Sequence, residues 1–204
     1  MKQNNFNASI WPEPKNRRGN FFNLNNSITK IEDVLKERHP SYFPVLVCSA
    51  RAAITMVLEG LLLSRKDLVR MPAYSSHCLL DAVSRVATPC PYIVNGLSDA
   101  AIIFHQWGFL QSNSPLNNNL LIEDACDSLC ERDSNLMILD GKFEIWSLPK
   151  IIGASGGAVI WCKSENDMIN IRLIRDSKSC SGFIQSILRD MGKKSDGLYD
   201  YWSG

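Results

Sequence analysis

The stretch PVLVCSARAAITMVLEGLLL, residues 44–63, decides the fold class of this chain. Its first six residues form a short apolar run, which is typical of a buried strand. From Ala50 to Leu62 the apolar side chains recur at spacings of three and four, which predicts a helix with one apolar face. A strand that turns directly into an amphipathic helix is the building unit of an α/β domain, so the stretch predicts that class.

Further apolar runs predict the other strands of the same sheet. They are short, nearly continuous and separated by turn residues, as in strands that are buried on both faces of a parallel sheet. With 44–49 as the first strand, we predict the others at 68–73, 91–95, 101–107, 119–125, 143–148 and 156–163. Helices are predicted at 28–38, 50–63 and 77–86. We therefore expect an α/β fold around a seven-stranded, mostly parallel sheet.

The two ends of the chain differ from this central region. Residues 1–18 include Pro12 and Pro14, which argue against a helix and predict a flexible arm. Residues 180–191 repeat the helical pattern, and their apolar face needs a partner. We divide the chain into an N-terminal arm (1–18), an α/β domain (19–163) and a helical C-terminal segment (164–204).

Composition and charge exclude several classes of protein. The chain is 45% hydrophobic and 21% charged, which rules out wholesale disorder, and its formal net charge of +1 offers no general attraction to nucleic acid or an anionic membrane. The polar N-terminus predicts no signal peptide, and the longest apolar stretch is too short to span a bilayer. The seven cysteines are odd in number and lack CxxC spacing, which favours reduced thiols and a cytoplasmic location. The three histidines are too scattered to predict a metal site.

Three segments could carry chemistry. The turn at Ser49–Ala52 lies between a strand and a helix, where free N–H groups suit a phosphate, although every α/β domain has several such turns. Asp124 ends an apolar run, where ligands bind in open sheets, although it could equally be a loop carboxylate. Lys150 lies between two apolar runs and before a glycine-rich turn. Most lysines are solvated, but an amine in an apolar interior would have a lowered pKa and become nucleophilic.

Together, the three segments contain the residue types that one kind of cofactor site needs. A pyridoxal phosphate (PLP) site needs an anchor for the phosphate, a carboxylate for the pyridinium nitrogen and a lysine that forms a Schiff base. The chain offers one candidate for each, in Ala50–Arg51, Asp124 and Lys150. The sequence therefore predicts PLP as the cofactor.

The same segments resemble a known family, the DegT/DnrJ/EryC1/StrS group of PLP-dependent sugar aminotransferases of fold type I. The resemblance runs from about Gly19 to Lys163 and consists of six motifs in the family's order. They are GNFFNL (19–24), SARAAI (49–54), MPAYSSHCLLDAV (71–83), IIFHQWGF (102–109), LIEDACDSL (121–129) and SLPKIIGASGGAV (147–159).

The resemblance assigns roles to individual residues. Lys150 would form the Schiff base and later carry the proton between substrate and cofactor, and Asp124 would pair with the pyridinium nitrogen. Ala50, Arg51 and Ser147 would hold the phosphate of the cofactor. Tyr74 and His77 would lie near the face of its ring. The implied reaction transfers an amino group from an amino acid, expected to be glutamate, to a nucleotide-linked keto-sugar in surface polysaccharide or secondary-metabolite biosynthesis. A homodimer is also implied.

The chain departs from the family pattern at several positions. Ala50 replaces the usual glycine of the phosphate turn, Ser76 occupies the position of a ring-stacking aromatic, and Asp127 replaces a Gln or His. The connections around 96–100 and 108–120 are short, and from the resemblance we expect the family's C-terminal small domain to be largely missing. These departures support an alternative, a reduced and non-catalytic relative that binds a phosphorylated ligand or a partner protein. A third possibility is an unrelated nucleotide-binding domain, which the absence of GxGxxG and GxxxxGK[ST] disfavours.

Overall fold

A seven-stranded sheet organises the computed structural model, which describes residues 24–92, 98–112, 120–128, 136–152, 154 and 156–178. The strands are β1 Phe43–Val47, β2 Leu68–Met71, β3 Thr88–Pro91, β4 Ala100–Phe104, β5 Leu121–Asp124, β6 Phe143–Ser147 and β7 Ala158–Cys162. The helices are α1 Leu24–Arg38, α2 Ala50–Gly60, α3 His77–Ser84, α4 Leu148–Ile152 and α5 Glu165–Ser177. The arm predicted at 1–18 and the helix predicted at 180–191 lie outside the described residues.

The strand order across the sheet is β1-β7-β6-β5-β4-β2-β3. β7 pairs antiparallel with both β1 and β6, and the other neighbouring strands pair parallel. The predicted α/β fold with a seven-stranded, mostly parallel sheet is therefore confirmed.

One strand begins earlier than the sequence predicts. We expected a strand at 91–95, but β3 covers Thr88–Pro91 and Tyr92 already lies in a turn. The observed strand contains Pro89 and Pro91, and only Pro91 belonged to the strand that we predicted. They are tolerated because β3 is the edge strand beside β2, where a residue without an N–H leaves no central ladder bond unmade.

The two faces of the sheet are covered differently. On the apolar face, strand residues such as Val45, Ile102 and Ile160 pack against α2, α3 and α5 in one hydrophobic core. On the opposite face, which we call the mixed face, apolar residues such as Trp146 and Trp161 lie beside two buried glutamates, Glu123 and Glu144. The alternation of side chains along each strand separates the two sets.

We did not predict α4, and we placed the helical pattern of the C-terminal segment (164–204) at 180–191 and not at the position of α5. α4 is only five residues long and contains Pro149, so no helical period is visible there. α5 begins at the N-cap Ser164, whose side chain accepts the N–H of Asp167, and it buries Met168 and Ile171 in the apolar core. α5 therefore packs on the α/β domain. Within the described residues, no helix is long and apolar enough to cross a membrane.

Candidate functional site

The predicted site residues meet at one edge of the sheet, where the parallel strands have their carboxyl ends. β5 ends at Asp124, and its parallel neighbour β6 ends at Ser147. β1 runs parallel to β6, because both pair antiparallel with β7 between them. The start of α2 at Ala50, which follows β1, therefore lies at the same edge, where ligands bind in open α/β sheets.

A glycine turn holds this edge together. The N–H of Gly157 donates to the carbonyl of Cys48 (3.1 Å), and the carbonyl of Gly157 accepts the N–H of Leu148 (3.1 Å). Gly157 has a φ of +98°, and a Cβ there would lie 3.2 Å from the Leu148 side chain. Gly157, in the glycine-rich turn after Lys150, is thus required to link the ends of β1 and β6.

The first turn of α2 offers N–H groups to an anion. Ser49 is the N-cap in an extended conformation, and its hydroxyl accepts the N–H of Ala52 (3.2 Å). The amides of Ala50 and Arg51 lie at the start of the helix, where no carbonyl of the helix can accept their N–H groups. The positive end of the helix dipole also favours a phosphate there. Ser147, the third predicted phosphate contact, is buried at the end of β6.

Asp124 is held by its own loop. Its Oδ1 atom accepts the N–H of Cys126 at 3.0 Å. Burial raises the pKa of the Asp124 carboxyl, the nearby Asp127 adds to that rise, and the hydrogen bond with Cys126 and the charge on Lys150 oppose it. A cation or an N–H group beside Asp124 would therefore stabilise its charged form.

Lys150 lies on α4 and forms an ion pair with Asp127, with 2.6 Å between Nζ and Oδ1. Burial would lower the pKa of the Lys150 amine, but the hydrogen bond and charge of Asp127, together with Cys126 and Asp124, raise it. The lowered pKa that we expected is therefore wrong for this structure, because the site supplies a carboxylate partner as well as burial. Asp124 ends β5 and Lys150 lies on the helix that directly follows β6, the parallel neighbour of β5, so both are at the same edge of the sheet. The charge of each shifts the pKa of the other.

The side chains of Tyr74 and His77 are both exposed. The Tyr74 side chain is almost fully exposed, at 99%. His77 begins α3 and is also exposed, while Ser76 acts as the N-cap of that helix by accepting the N–H of Leu79 (3.4 Å). The structure thus brings Lys150 near Asp124, but it leaves these two rings exposed.

Sequence reasoning missed a buried network beside the site. His105 Nε2 lies 2.8 Å from Glu123 Oε2, and the N–H of Gln111 donates to His105 Nδ1 (3.1 Å). The ring is therefore assigned as the neutral tautomer that donates from Nε2. Glu123 also accepts the N–H groups of Leu139 (3.2 Å) and Gly141 (2.8 Å). A carboxylate within the buried run of β5 was a signal, because a buried charge needs partners.

The network continues to the loop that carries Asp127. The hydroxyl of Ser128 donates to the carbonyl of His105 (2.6 Å), and the N–H of Gly108 donates to the carbonyl of Asp127 (3.2 Å). Gly108 has a φ of +80°, which favours glycine. The position of Asp127 is thus fixed by the loop after β4. Among the described residues, no group of three His, Cys, Asp or Glu side chains could hold a metal ion.

Comparisons with solved structures match the fold of this chain. DesV from S. venezuelae, in complex with a ketimine intermediate, is 18% identical with a TM-score of 0.62, and the match covers 76% of this chain and 49% of that one. A GDP-4-keto-6-deoxymannose-3-dehydratase with a trapped PLP-glutamate geminal diamine is 16% identical (TM-score 0.60; 72% and 47% covered). A DegT DnrJ EryC1 StrS aminotransferase from Brucella abortus is 14% identical (TM-score 0.56; 73% and 49%). The chain spans about half the length of these structures.

The predicted resemblance to the DegT/DnrJ/EryC1/StrS group and its fold is confirmed by these structures, and the possibility of an unrelated nucleotide-binding domain is wrong. Among curated protein sequences, none matches this chain. A family model described as "Putative PLP-dependent aminotransferase" matches residues 31–196, which is most of the chain. The cofactor of that family is PLP, as we predicted. This chain belongs to the family of PLP-dependent aminotransferases.

Proposed function

We propose that this chain is the cofactor-binding part of an aminotransferase that acts on a nucleotide-linked keto-sugar. The observation that carries the proposal is the meeting of Lys150, Asp124 and the first turn of α2 at one edge of the sheet. An amine, a carboxylate and an anion-binding turn form the donor set that PLP requires. The division into an arm, an α/β domain and a C-terminal segment remains part of this proposal.

Each residue has a defined task in this proposal. When bound, PLP supplies an aldehyde that condenses with amines and a ring that withdraws electrons from the adjoining carbon. Asp124 would accept the N–H of the pyridine ring, and this contact would offset the effect of burial on the carboxyl. The amides of Ala50 and Arg51 and the hydroxyl of Ser147 would hold the phosphate. Lys150 would act as the nucleophile and then as the proton carrier.

The exposed rings would complete the site. We propose that Tyr74 and His77 approach the face of the cofactor ring, taking the place of the family's stacking aromatic, which is Ser76 here. Tyr74 lies between β2 and α3, and His77 is the first residue of α3, at the same edge of the sheet. Ala50 in place of glycine adds a methyl group to the phosphate turn, which narrows the approach to its backbone.

The substrates are proposed from the solved relatives. The dehydratase structure contains a trapped adduct of PLP and glutamate, and its name specifies a keto-sugar linked to GDP. We propose glutamate as the amino donor and a nucleotide-linked keto-sugar as the acceptor, in surface polysaccharide or secondary-metabolite biosynthesis. The described cysteines are all free thiols, which supports a cytoplasmic location.

A homodimer would complete the assembly. Trp107 and Phe109 are each 73% exposed, and they follow β4 at the edge that holds the candidate site. Large exposed apolar side chains favour a protein partner, and a second copy of the chain is the partner we propose. The expected result is a dimeric mass in solution at micromolar concentration, and a monomeric mass would contradict this part of the proposal.

The main test is titration of the protein with PLP. A visible band that Lys150→Ala removes, and that Lys163→Ala leaves, would support a competent site, because Lys163 pairs with the exposed Asp140 instead. Addition of glutamate should then shift the band by converting the cofactor to its amine form. Absence of any band at saturating PLP would favour the non-catalytic relative. Turnover with a nucleotide-linked keto-sugar then tests the proposed acceptor.

A further inference from the structure

Asp127 occupies an unusual position for an acidic residue, because its carboxylate lies 2.6 Å from the amine that the proposed function requires. Both side chains are partly buried, with exposed fractions of 25% for Asp127 and 41% for Lys150. The pair is therefore screened less than an ion pair on the open surface. Where the related family carries Gln or His, this chain carries a negative charge.

The surrounding loop fixes Asp127 in this place. Its carbonyl accepts the N–H of Gly108, and the next residue, Ser128, is anchored to the carbonyl of His105 and by its N–H to the carbonyl of Ala125 (3.2 Å). These bonds use the backbone and a neighbouring hydroxyl and leave the carboxylate of Asp127 to Lys150. The loop thus fixes the backbone position from which the Asp127 carboxylate reaches Lys150.

We propose that Asp127 is a positioning residue that keeps Lys150 in its ammonium form until PLP enters the site. The inference rests on the proposed function, since it concerns the capture of that cofactor. Asp127 would then control the rate at which Lys150 captures PLP and the pH range in which it does so.

The chemistry of capture explains why the ammonium form matters. Only the neutral amine has a lone pair, so the ammonium ion must first lose a proton to the solvent. The nitrogen then adds to the aldehyde carbon, a C=N bond replaces the C=O bond, and the oxygen leaves as water. Among the described residues, Asp127, Cys126 and Asp124 raise the pKa of the Lys150 amine against the effect of burial.

The sign of the pH effect follows from this arrangement. Because Asp127 raises the pKa of Lys150, the neutral fraction of the amine at pH 7 is smaller than in an ordinary lysine. Each pKa unit removed would increase that fraction about tenfold. Asp127→Asn removes the charge but keeps the size of the side chain, so it should lower the pKa of Lys150 and speed the capture of PLP at pH 7 by about the same factor.

Two measurements test the inference. Competitive labelling of amines with acetic anhydride across pH, read by peptide mass spectrometry, reports the pKa of Lys150 without any cofactor. Stopped-flow absorbance, followed by borohydride reduction and mass analysis, reports the rate at which PLP becomes attached to Lys150. Asp140→Asn is the matched control, because it removes the carboxylate of another lysine pair, that of Lys163.

The expected result is a lower pKa of Lys150 and faster capture in Asp127→Asn, with neither change in Asp140→Asn. Where the wild-type chain does capture PLP, an unchanged Lys150 pKa in Asp127→Asn, or a lowered pKa without faster capture, would overturn the inference while the proposed function stands. If Lys150 titrates lower in the variant but no protein captures PLP at any pH, the proposed function fails and the role in capture fails with it. Asp127→Ser serves as a second variant, and urea unfolding checks that each variant is folded.

Discussion

The apolar face and the mixed face of the sheet are built by different physical rules. On the apolar face, burial of side chains such as Ile102, Ile122 and Ile160 against helices supplies the stabilisation. On the mixed face, Glu123 and Glu144 are buried among aromatic and apolar side chains, and each is satisfied by specific N–H donors. The difference teaches that the apolar face stabilises the domain through the amount of apolar surface that it buries. The mixed face positions the loops beside the candidate site through specific hydrogen bonds.

The largest effect is expected when the buried carboxylate of Glu123 is removed from the mixed face. Glu123→Ala leaves the Nε2–H of His105 and the N–H groups of Leu139 and Gly141 without their acceptor. We expect the free energy of unfolding to fall by about 3–5 kcal/mol, measured by urea denaturation. Glu59→Ala, which breaks the pair with Lys178 on the surface, is the control and should cost less than about 1 kcal/mol. Equal losses in the two variants would contradict the distinction.

A smaller effect is expected from a single added methyl group. In Gly141→Ala the new Cβ would lie 2.6 Å from Glu123 Oε1 and 2.9 Å from its Cγ, so the hydrogen-bonded side chain must shift. We expect a loss of about 1–3 kcal/mol in urea unfolding. In Gly60→Ala on α2, the new Cβ would meet only the ends of side chains, with Ile171 Cδ1 nearest at 2.8 Å, followed by Asn170 Nδ2 at 3.4 Å and Ile174 Cδ1 at 3.5 Å. Because the variant also gains helix propensity, its change should stay within about 1 kcal/mol. An unchanged free energy of unfolding in Gly141→Ala would show that the mixed face tolerates a shift of the Glu123 side chain.

The smallest effect is expected on the apolar face. Ile160→Val removes one methylene from a fully buried residue of β7 and should cost about 0.5–1.5 kcal/mol in the same assay. The pKa of Lys150 from amine labelling should not change, because the Ile160 side chain is apolar and offers no hydrogen bond or charge to the site. A shift in that pKa would mean that the two faces are coupled.

The apolar face was largely predictable from the sequence, whereas the mixed face was not. The period of α2 and the apolar runs of the strands reflect burial against one neighbour, which a local pattern records. The pair of His105 and Glu123 joins residues 18 positions apart, and Asp127 meets Lys150 across 23 positions. Such contacts depend on the order of strands in the sheet, so the sequence indicated Lys150 and Asp124 but gave the wrong direction for the amine pKa.

The most direct test of the central claim is ¹⁵N NMR of PLP labelled at its ring nitrogen. The claim is that Asp124 and Lys150 act on one bound cofactor. In the wild-type chain, with the cofactor attached to Lys150, we predict the chemical shift of a protonated pyridine nitrogen at neutral pH. In Asp124→Ala the same resonance should move to the value of the unprotonated nitrogen. Identical shifts in the two proteins, or attachment of PLP at another lysine, would contradict the account.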